Sequence, residues 1–392
     1  MTCDTGSGVP ATVGLVADDF TGAADSAGVF TQHGWAVRLL VGSADTDREA
    51  PLTPSTVLAV ATGARSLNDA DAAEVTAAAV RRLSEAGVER LFLKIDSTMR
   101  GSVPAQVRGA LDAWSRRHPD PRAVVTPAFP ALGRTVVDGV VLVDGVPVSE
   151  TDSGRDPFAP VASSRLDELL PGFQPLSPAS AISSMPARAY ADATTDDDLD
   201  GLARLVHHDP AVVAVGSAGL ASALARRWQH PARASVASAS RGGVIVAVTS
   251  LHPVSARQVS ELAASLSSDV DVLTPPVERG PRPSDVAAEL AQRVNALVKT
   301  QDVGALIVVG GDGVAAVLAA LGATAVRLDG VLDAGCPTGI IVGGLADGVR
   351  LVSKSGGFGP PSALVDLVSH LRSESPTDPV LHPVHPKEDH NV

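Results

Sequence analysis

The amino-acid sequence predicts an α/β protein of two domains, each with a largely parallel sheet flanked by helices, and a β-hairpin flap in the N-terminal one. Three observations lead there. Apolar runs of strand length, rich in Val, Leu and Ile, alternate with alanine-rich stretches of helical period. At 392 residues the chain is too long for one ordinary core. Between Gln229 and Gly243 the periodicity gives way to Pro, Ala, Ser, Arg and Gly, which divides the pattern in two. The expected organisation is an N-terminal domain over residues 1–230, a linker over 231–243, a C-terminal domain over 244–374 and a flexible tail over 375–392.

In the first domain, Val13–Ala17 is suited to a buried parallel strand and ends in Asp18-Asp19-Phe20-Thr21-Gly22, before a helix from Ala23 to Phe30. Two adjacent carboxylates at a strand-to-helix turn suit a magnesium site, or a base and hydroxyl acceptor; helix capping accounts for one of them. A strand over Thr56–Val60 leads through Arg65 into an amphipathic helix from about Asp71 to Ala86. The apolar Leu91-Phe92-Leu93 then runs into Lys94-Ile95-Asp96-Ser97-Thr98-Met99-Arg100-Gly101, and a helix over Val103–Arg116 follows. A βαβα order places successive strand ends on one edge of the sheet, where Asp18, Asp19, Arg65, Lys94, Asp96 and Arg100 are expected to converge. After a strand over Ala123–Thr126, the segment Gly139–Val148 sets Asp144-Gly145 between apolar runs, the hairpin signal behind the flap. A loop with Thr151, Asp156, Pro157 and Pro160 returns to a helix near Ser164, and the strand Val212–Val215 with its helix closes the domain.

The stretch from Lys94 to Gly101 carries the most chemistry. A lysine, an aspartate, hydroxyls and an arginine at a strand end suit an anionic, hydroxylated small molecule, the guanidinium for a carboxylate and the carboxylate for alcohols. The chain has only four lysines, at 94, 299, 354 and 387. Where arginine is the default cation, lysine at a strand end points to a need for a compact charge, as phosphate contacts require.

The second domain opens with a strand over Val244–Val248, followed by Thr249-Ser250-Leu251-His252-Pro253 and a helix containing Gln258. Strands near Val270–Leu273, Ala305–Val309, Ala325–Leu328, Gly339–Val342 and Val349–Ser353 alternate with helices. Gly310-Gly311-Asp312-Gly313 follows one strand and Lys354-Ser355-Gly356-Gly357-Phe358-Gly359 another. Two glycine loops with a lysine suit a nucleotide, because glycine admits close approach and a helix start offers free N–H groups to phosphate. No Walker A sequence is present. Two other readings stay open: a dehydrogenase, with Gly311-x-Gly313-x-x-Ala316 as dinucleotide fingerprint and Asp329 as its acidic partner, and a noncatalytic sensor.

Composition narrows the partners. Aromatics are only 3% and the formal charge is -13, which argues against nucleic acid, a ligand that needs stacking platforms and a basic footprint. Cys3 and Cys336 form neither a disulfide framework nor a zinc motif. No apolar run reaches membrane-spanning length and the first residues lack a signal-peptide pattern, so the expectation is a cytoplasmic protein without a membrane partner. A homodimer is the default assembly.

Taken in order, the motifs Ala17–Ala23, Lys94–Gly101, Pro127–Pro130 with Gly133-Arg134, the Asp144-Gly145 hairpin, Asp156-Pro157, Gly216–Leu220, Ser250 with Gln258, Gly310-Gly311-Asp312 and Lys354–Gly359 resemble the four-carbon acid sugar kinase family. The resemblance implies an N-terminal domain that binds a sugar acid through Asp18, Asp19, Arg65, Lys94, Ile95, Asp96, Ser97 and Arg100. It implies a C-terminal domain that binds ATP, with Mg2+, near Ser250, Gly310, Gly311, Asp312, Gly313, Lys354, Gly356 and Gly357. Asp19, then Asp96, are the expected proton acceptors, and Lys94 or Lys354 the counter-charge on the transferred group. The chain departs from the family in carrying Gly313 after Gly-Gly-Asp, where threonine is usual, so a hydroxyl contact to the nucleotide is expected to be missing; Thr249 stands where glycine is common, and Leu251-His252 where smaller residues usually sit.

Overall fold

In the computed structural model, residues 12–42, 52–53, 55–156, 159–176, 184–228, 242–265, 269–275, 283–333 and 335–372 are described. Nearly all of the expected linker, the whole tail with its histidines, Cys3 and Pro157 lie outside them.

The first lobe begins β1 (Val13–Ala17), α1 (Phe20–Gln32), β2 (Ala36–Leu40), β3 (Thr56–Ala61), α2 (Asp69–Glu85), β4 (Arg90–Lys94), α3 (Val103–Trp114) and β5 (Arg122–Thr126). The strands at its centre are continuous hydrophobic runs, β1 being Val-Gly-Leu-Val-Ala, because helices cover the sheet. Next come β6 (Arg134–Val137), β7 (Val140–Val143) and β8 (Val146–Pro147), a separate three-stranded antiparallel sheet. The Asp144-Gly145 turn predicted from sequence joins β7 to β8, and a second Asp-Gly turn, Asp138-Gly139, joins β6 to β7; all four residues have positive φ. The lobe ends with α4 (Leu166–Leu169), β9 (Gln174–Pro175), β10 (Arg188–Tyr190), α5 (Asp196–His207), β11 (Val212–Gly216) and α6 (Ala218–Arg227).

The second lobe holds β12 (Gly243–Val248), α7 (Pro253–Ala264), β13 (Val270–Leu273), α8 (Pro283–Thr300), β14 (Val303–Val309), α9 (Gly311–Ala320), β15 (Ala325–Val331), β16 (Pro337–Val342), β17 (Arg350–Lys354) and α10 (Ala363–Arg372). Instead of two separate sheets, one 14-stranded sheet runs through both lobes in the order β13-β12-β14-β17-β16-β15-β2-β3-β1-β4-β11-β5-β10-β9. It is parallel throughout the first lobe and from β13 to β17, and antiparallel at β17–β16, β16–β15 and β15–β2. The lobes are thus sewn together by the pairing of Ala325, Val326, Arg327 and Leu328 with Leu40, Leu39, Arg38 and Val37. Strand β2, which is absent from the strands expected above, is the joining strand.

Across that joint the strand directions reverse, which on a flat sheet would send the two sets of carboxyl ends to opposite edges. Twist brings them back. At roughly 20–25° per strand pair, the six steps from β1 to β14 add up to roughly 130°, leaving the two strands within about 50° of parallel. Helix α1 fills the resulting angle: its Gly28 faces Val331 and Pro337 of the second lobe so closely that an added Cβ would come 2.9 Å from Val331 Cγ2. The core is aliphatic, as the composition implies, with Trp35, Trp114, Phe30 and Phe92 its fully buried aromatics. Among the described residues no helix is long and apolar enough to cross a membrane.

Candidate active site

Asp18 and Asp19 leave the carboxyl end of β1, flanked by the ends of β3 and β4. Asp19 caps α1, its Oδ1 accepting the Gly22 N–H at 2.7 Å. After β3 a short 3-10 turn over Ala64–Ser66 sends Arg65 back across β1. Arg65 Nε and Nη2 donate to the two oxygens of Asp18 at 3.0 and 2.9 Å, and Nη1 donates to Asp19 Oδ2 at 2.6 Å. Beyond β4, Asp96 takes Nε and Nη2 of Arg100, each at 2.9 Å, together with the Thr98 hydroxyl and backbone N–H; Arg65 Nη2 lies 3.6 Å from its other side. Arg100 Nη1 continues to Asp156 Oδ2 at 3.1 Å. Gly101, at φ 84°, holds this loop against the Arg65 backbone, where a Cβ would come 2.9 Å from the Arg65 carbonyl oxygen.

The electrostatics follow from that ring of charge. Burial alone would depress the Arg65 guanidinium, but Asp18, Asp19 and Asp96 outweigh it and hold the cation well above its ordinary value. For Asp96, burial would raise the carboxyl, yet Arg65, Arg100 and Thr98 prevail and hold it far below the usual carboxylate range. Asp18 goes the other way: complete burial lifts it above 3.8 against the pull of Arg65. Lys94 is buried, its Nζ donating to the Ile95 carbonyl at 2.8 Å and lying where a Cβ on Gly22 would meet it at 2.7 Å. The Ile95 side chain is fully buried, so it offers a ligand only its backbone, while Ser97 is partly exposed. The structure therefore brings Asp18, Asp19, Arg65, Lys94, Asp96 and Arg100 together as the strand order implied. Both arginines, expected to grip a ligand carboxylate, already serve carboxylates of the protein, and only spare N–H donors of their five remain for a ligand.

The second ligand edge lies at the carboxyl ends of the adjacent parallel strands β12, β14 and β17. Gly310, at φ 108°, donates to the Lys354 carbonyl and starts α9 without a side-chain cap, so the N–H groups of its first turn face outward. Ser250 stands over Gly356, where an added Cβ would overlap its hydroxyl. Gln258 Nε2 donates to the carbonyls of Phe358, Gly359 and Pro360 at 2.9, 3.1 and 2.9 Å, fixing the last glycine loop. Lys354 does similar work. Its Nζ is bound to the Ser355 and Phe358 carbonyls at 2.9 and 2.6 Å, and burial lowers its pKa, so it clamps the loop rather than projecting as a free counter-charge. Asp312 is exposed.

Gly313 has no room for a side chain: a Cβ would fall on Oγ1 and Cγ2 of Thr249. The Thr249 side chain that fills this space is buried, its Oγ1 donating to the Val309 carbonyl at 2.9 Å.

The two edges meet. A Cβ on Gly311 would strike Thr21 Oγ1 and come 3.3 Å from the Thr21 nitrogen. The glycine turn of the second lobe therefore abuts the first turn of α1, one residue from Gly22 and the Lys94 ammonium.

Residues 13–224 match the family model described as a sugar-binding N-terminal domain, and residues 199–364 that of a nucleotide-binding C-terminal domain. A D-threonate kinase of Bordetella bronchiseptica is 36% identical over 404 residues, covering 92% of this chain and 97% of its own. The chain belongs to the four-carbon acid sugar kinase family. As a four-carbon acid sugar kinase it is also similar to a 3-oxo-tetronate kinase of Methylobacterium radiotolerans, 30% identical over 234 residues that span 55% of this chain and 54% of the relative. Among solved structures, a Bordetella bronchiseptica protein with bound citrate, a domain-swapped dimer, shares 34% identity over 93% of this chain and 99% of its own, at a TM-score of 0.51.

In this sugar acid kinase the dinucleotide reading fails on topology. That fingerprint needs its acidic residue on the neighbouring parallel strand. Here Asp329 lies on β15, separated from β14 by β17 and β16, and both its oxygens are bound by Arg350 at 3.1 Å within a buried ion pair. Asp25 is not among the expected site residues, yet it stands three and four residues past Gly22 and Thr21 on the same helix face, a spacing that marks it as their neighbour.

Proposed function

We propose that this kinase transfers the γ-phosphoryl of ATP to a terminal hydroxyl of threonate, erythronate or an oxo-tetronate. The observation that carries the reading is the contact of Gly311 with Thr21, which sets a cluster of carboxylates, arginines and a lysine beside a glycine-built anion cradle. Phosphoryl transfer asks the protein mainly for position and charge neutralisation. The acid pocket comprises Asp18, Asp19, Arg65, Lys94, the Ile95 backbone, Asp96, Ser97 and Arg100; carboxylates fixed by arginine accept ligand hydroxyls, and the spare guanidinium N–H groups with Lys94 take the ligand carboxylate. The nucleotide pocket comprises Ser250, Gly310, Gly311, Asp312, Gly313, Lys354, Gly356 and Gly357, with the backbone N–H groups of Gly311, Asp312 and Gly313 at the start of α9 donating to phosphate oxygens.

Among the described residues no group of three or more His, Cys, Asp or Glu side chains is arranged to hold a metal ion. A magnesium ion would come with ATP, keep mostly phosphate and water oxygens, and neutralise phosphate charge. Reliance on ATP favours the cytoplasm as its place of work. A homodimer is supported by the domain-swapped dimer of the Bordetella bronchiseptica relative, and light scattering on the purified protein tests it.

The test of function is coupled ADP release over threonate, erythronate and their 2- and 3-oxo derivatives. Acid-dependent ADP release is expected for at least one. Nicotinamide turnover in parallel wells, or thermal stabilisation by an acid without ADP release, would refute the kinase assignment.

A further inference from the structure

The carboxylates at the first ligand edge differ in one respect. Asp18, Asp19 and Asp96 each have both oxygens committed to arginine, backbone or threonine donors. Asp25 does not: its Oδ1 is buried and has no hydrogen-bond partner among the described residues. Helix geometry fixes where this carboxylate lies. Side chains lean toward the helix start, so residue 25 covers its neighbours three and four positions earlier, Gly22 and Thr21. Gly22 faces the Lys94 ammonium and Thr21 faces Gly311. Asp25 therefore stands between the lysine of the acid pocket and the glycine turn of the nucleotide pocket.

A buried carboxylate oxygen without a partner costs stability, and among the described residues neither a cap nor an ion pair uses it. We propose that Asp25 is the general base of the phosphoryl transfer, an inference that rests on the kinase reading above. The acceptor hydroxyl oxygen forms its bond to the γ-phosphorus as the bond from that phosphorus to the β,γ-bridging oxygen breaks. ADP leaves with the electron pair, and the hydroxyl proton passes to Asp25. The role expected for Asp19 or Asp96 thus moves to a residue with a free lone pair, while those two hold the arginines.

The electrostatics agree. Burial pushes the Asp25 carboxyl up to about 7, with Lys94 pulling it down and Asp19 adding to the rise. From the second lobe it is faced by Cys336, whose own thiol burial pushes up to about 12, with Lys354 and Asp333 close behind. A base poised near neutrality both takes the proton and returns it to water afterwards.

The experiment is steady-state kinetics of wild type, D25N and D25E with ATP and the acid that wild type phosphorylates, across pH 5 to 9. For D25N, kcat is expected to fall about 10²- to 10⁴-fold while both KM values stay within about threefold, and the rise of kcat through neutral pH is expected to vanish. D25E is expected to recover part of the loss together with a pH limb. The inference is overturned by D25N keeping kcat within about threefold of wild type or an unchanged pH limb. It is equally overturned by D25N melting below wild type at pH 8, which would give Asp25 a structural partner. A wild-type protein inert on every acid refutes the kinase reading and this assignment with it; an active wild type with an unaffected D25N refutes Asp25 alone.

Discussion

Introducing threonine at Gly313 should be damaging alone and tolerated when Thr249 becomes glycine. In Gly313→Thr the new Cβ falls on the Thr249 side chain in a buried corner, the kind of overpacking that costs about 1–3 kcal/mol. Thr249→Gly gives up the hydrogen bond to the Val309 carbonyl, about 1 kcal/mol, a buried methyl, about 0.8 kcal/mol, and backbone restriction, about 0.5–1 kcal/mol. The single variants together should lose about 4–5 kcal/mol. In the double variant the incoming threonine occupies the space the other vacates, and a net loss of about 1–2 kcal/mol leaves a coupling of about 3 kcal/mol, at the upper end for contacting residues. Urea denaturation of the four proteins, with ATP affinity measured alongside, closes the cycle. Additive losses would mean that the two positions do not share this space, and would remove the explanation given for the glycine.

Other consequences are open to measurement. Because Asp25 sits at about 7 in the folded chain against an ordinary 3.8, its native form binds more protons, so its contribution lowers stability as pH rises from about 4 to 7; D25N should gain up to about 4 kcal/mol over wild type at pH 8 and little at pH 4, and an equal difference at both refutes the burial account. Arg65→Ala leaves Asp18, Asp19 and Asp96 without their shared cation and should cost about 3–5 kcal/mol near neutrality by denaturant titration. Asp96 is held below its ordinary value, so its share of that loss is full above about pH 4 and shrinks in stronger acid; a loss independent of pH would contradict the charge account. Gly311→Val drives a side chain into Thr21 and should weaken ATP binding at least about tenfold by calorimetry, whereas unchanged affinity would make Gly311 a simple turn.

Much of this site was legible in the sequence because parallel strands put their polar ends in one place. Once Val13–Ala17 and Leu91–Leu93 read as buried strands, Asp18, Lys94 and Asp96 had to share an edge. What pattern alone missed depends on partners far away in the chain. Strand β2, Ala-Val-Arg-Leu-Leu, carries an arginine at its middle because it lies where the lobes join, and neither alternation nor an unbroken apolar run marks it. The use of Lys354 as a loop clamp, the capture of Asp329 by Arg350 and the filling of Gly313's space by Thr249 are packing facts with no local signal. Asp25 had a local signal in its helical spacing, but its lack of a partner became visible only with both lobes in position.

The joint between β2 and β15 also bears on how such a chain assembles. A ladder shared by two lobes means that each lobe alone ends in a raw strand edge, an invitation to any matching strand nearby. During synthesis the first lobe must wait for the second to cover Ala36–Leu40, and a neighbouring copy's β15 offers the same covering. Exchange of lobes between copies would leave every hydrogen bond of the seam intact.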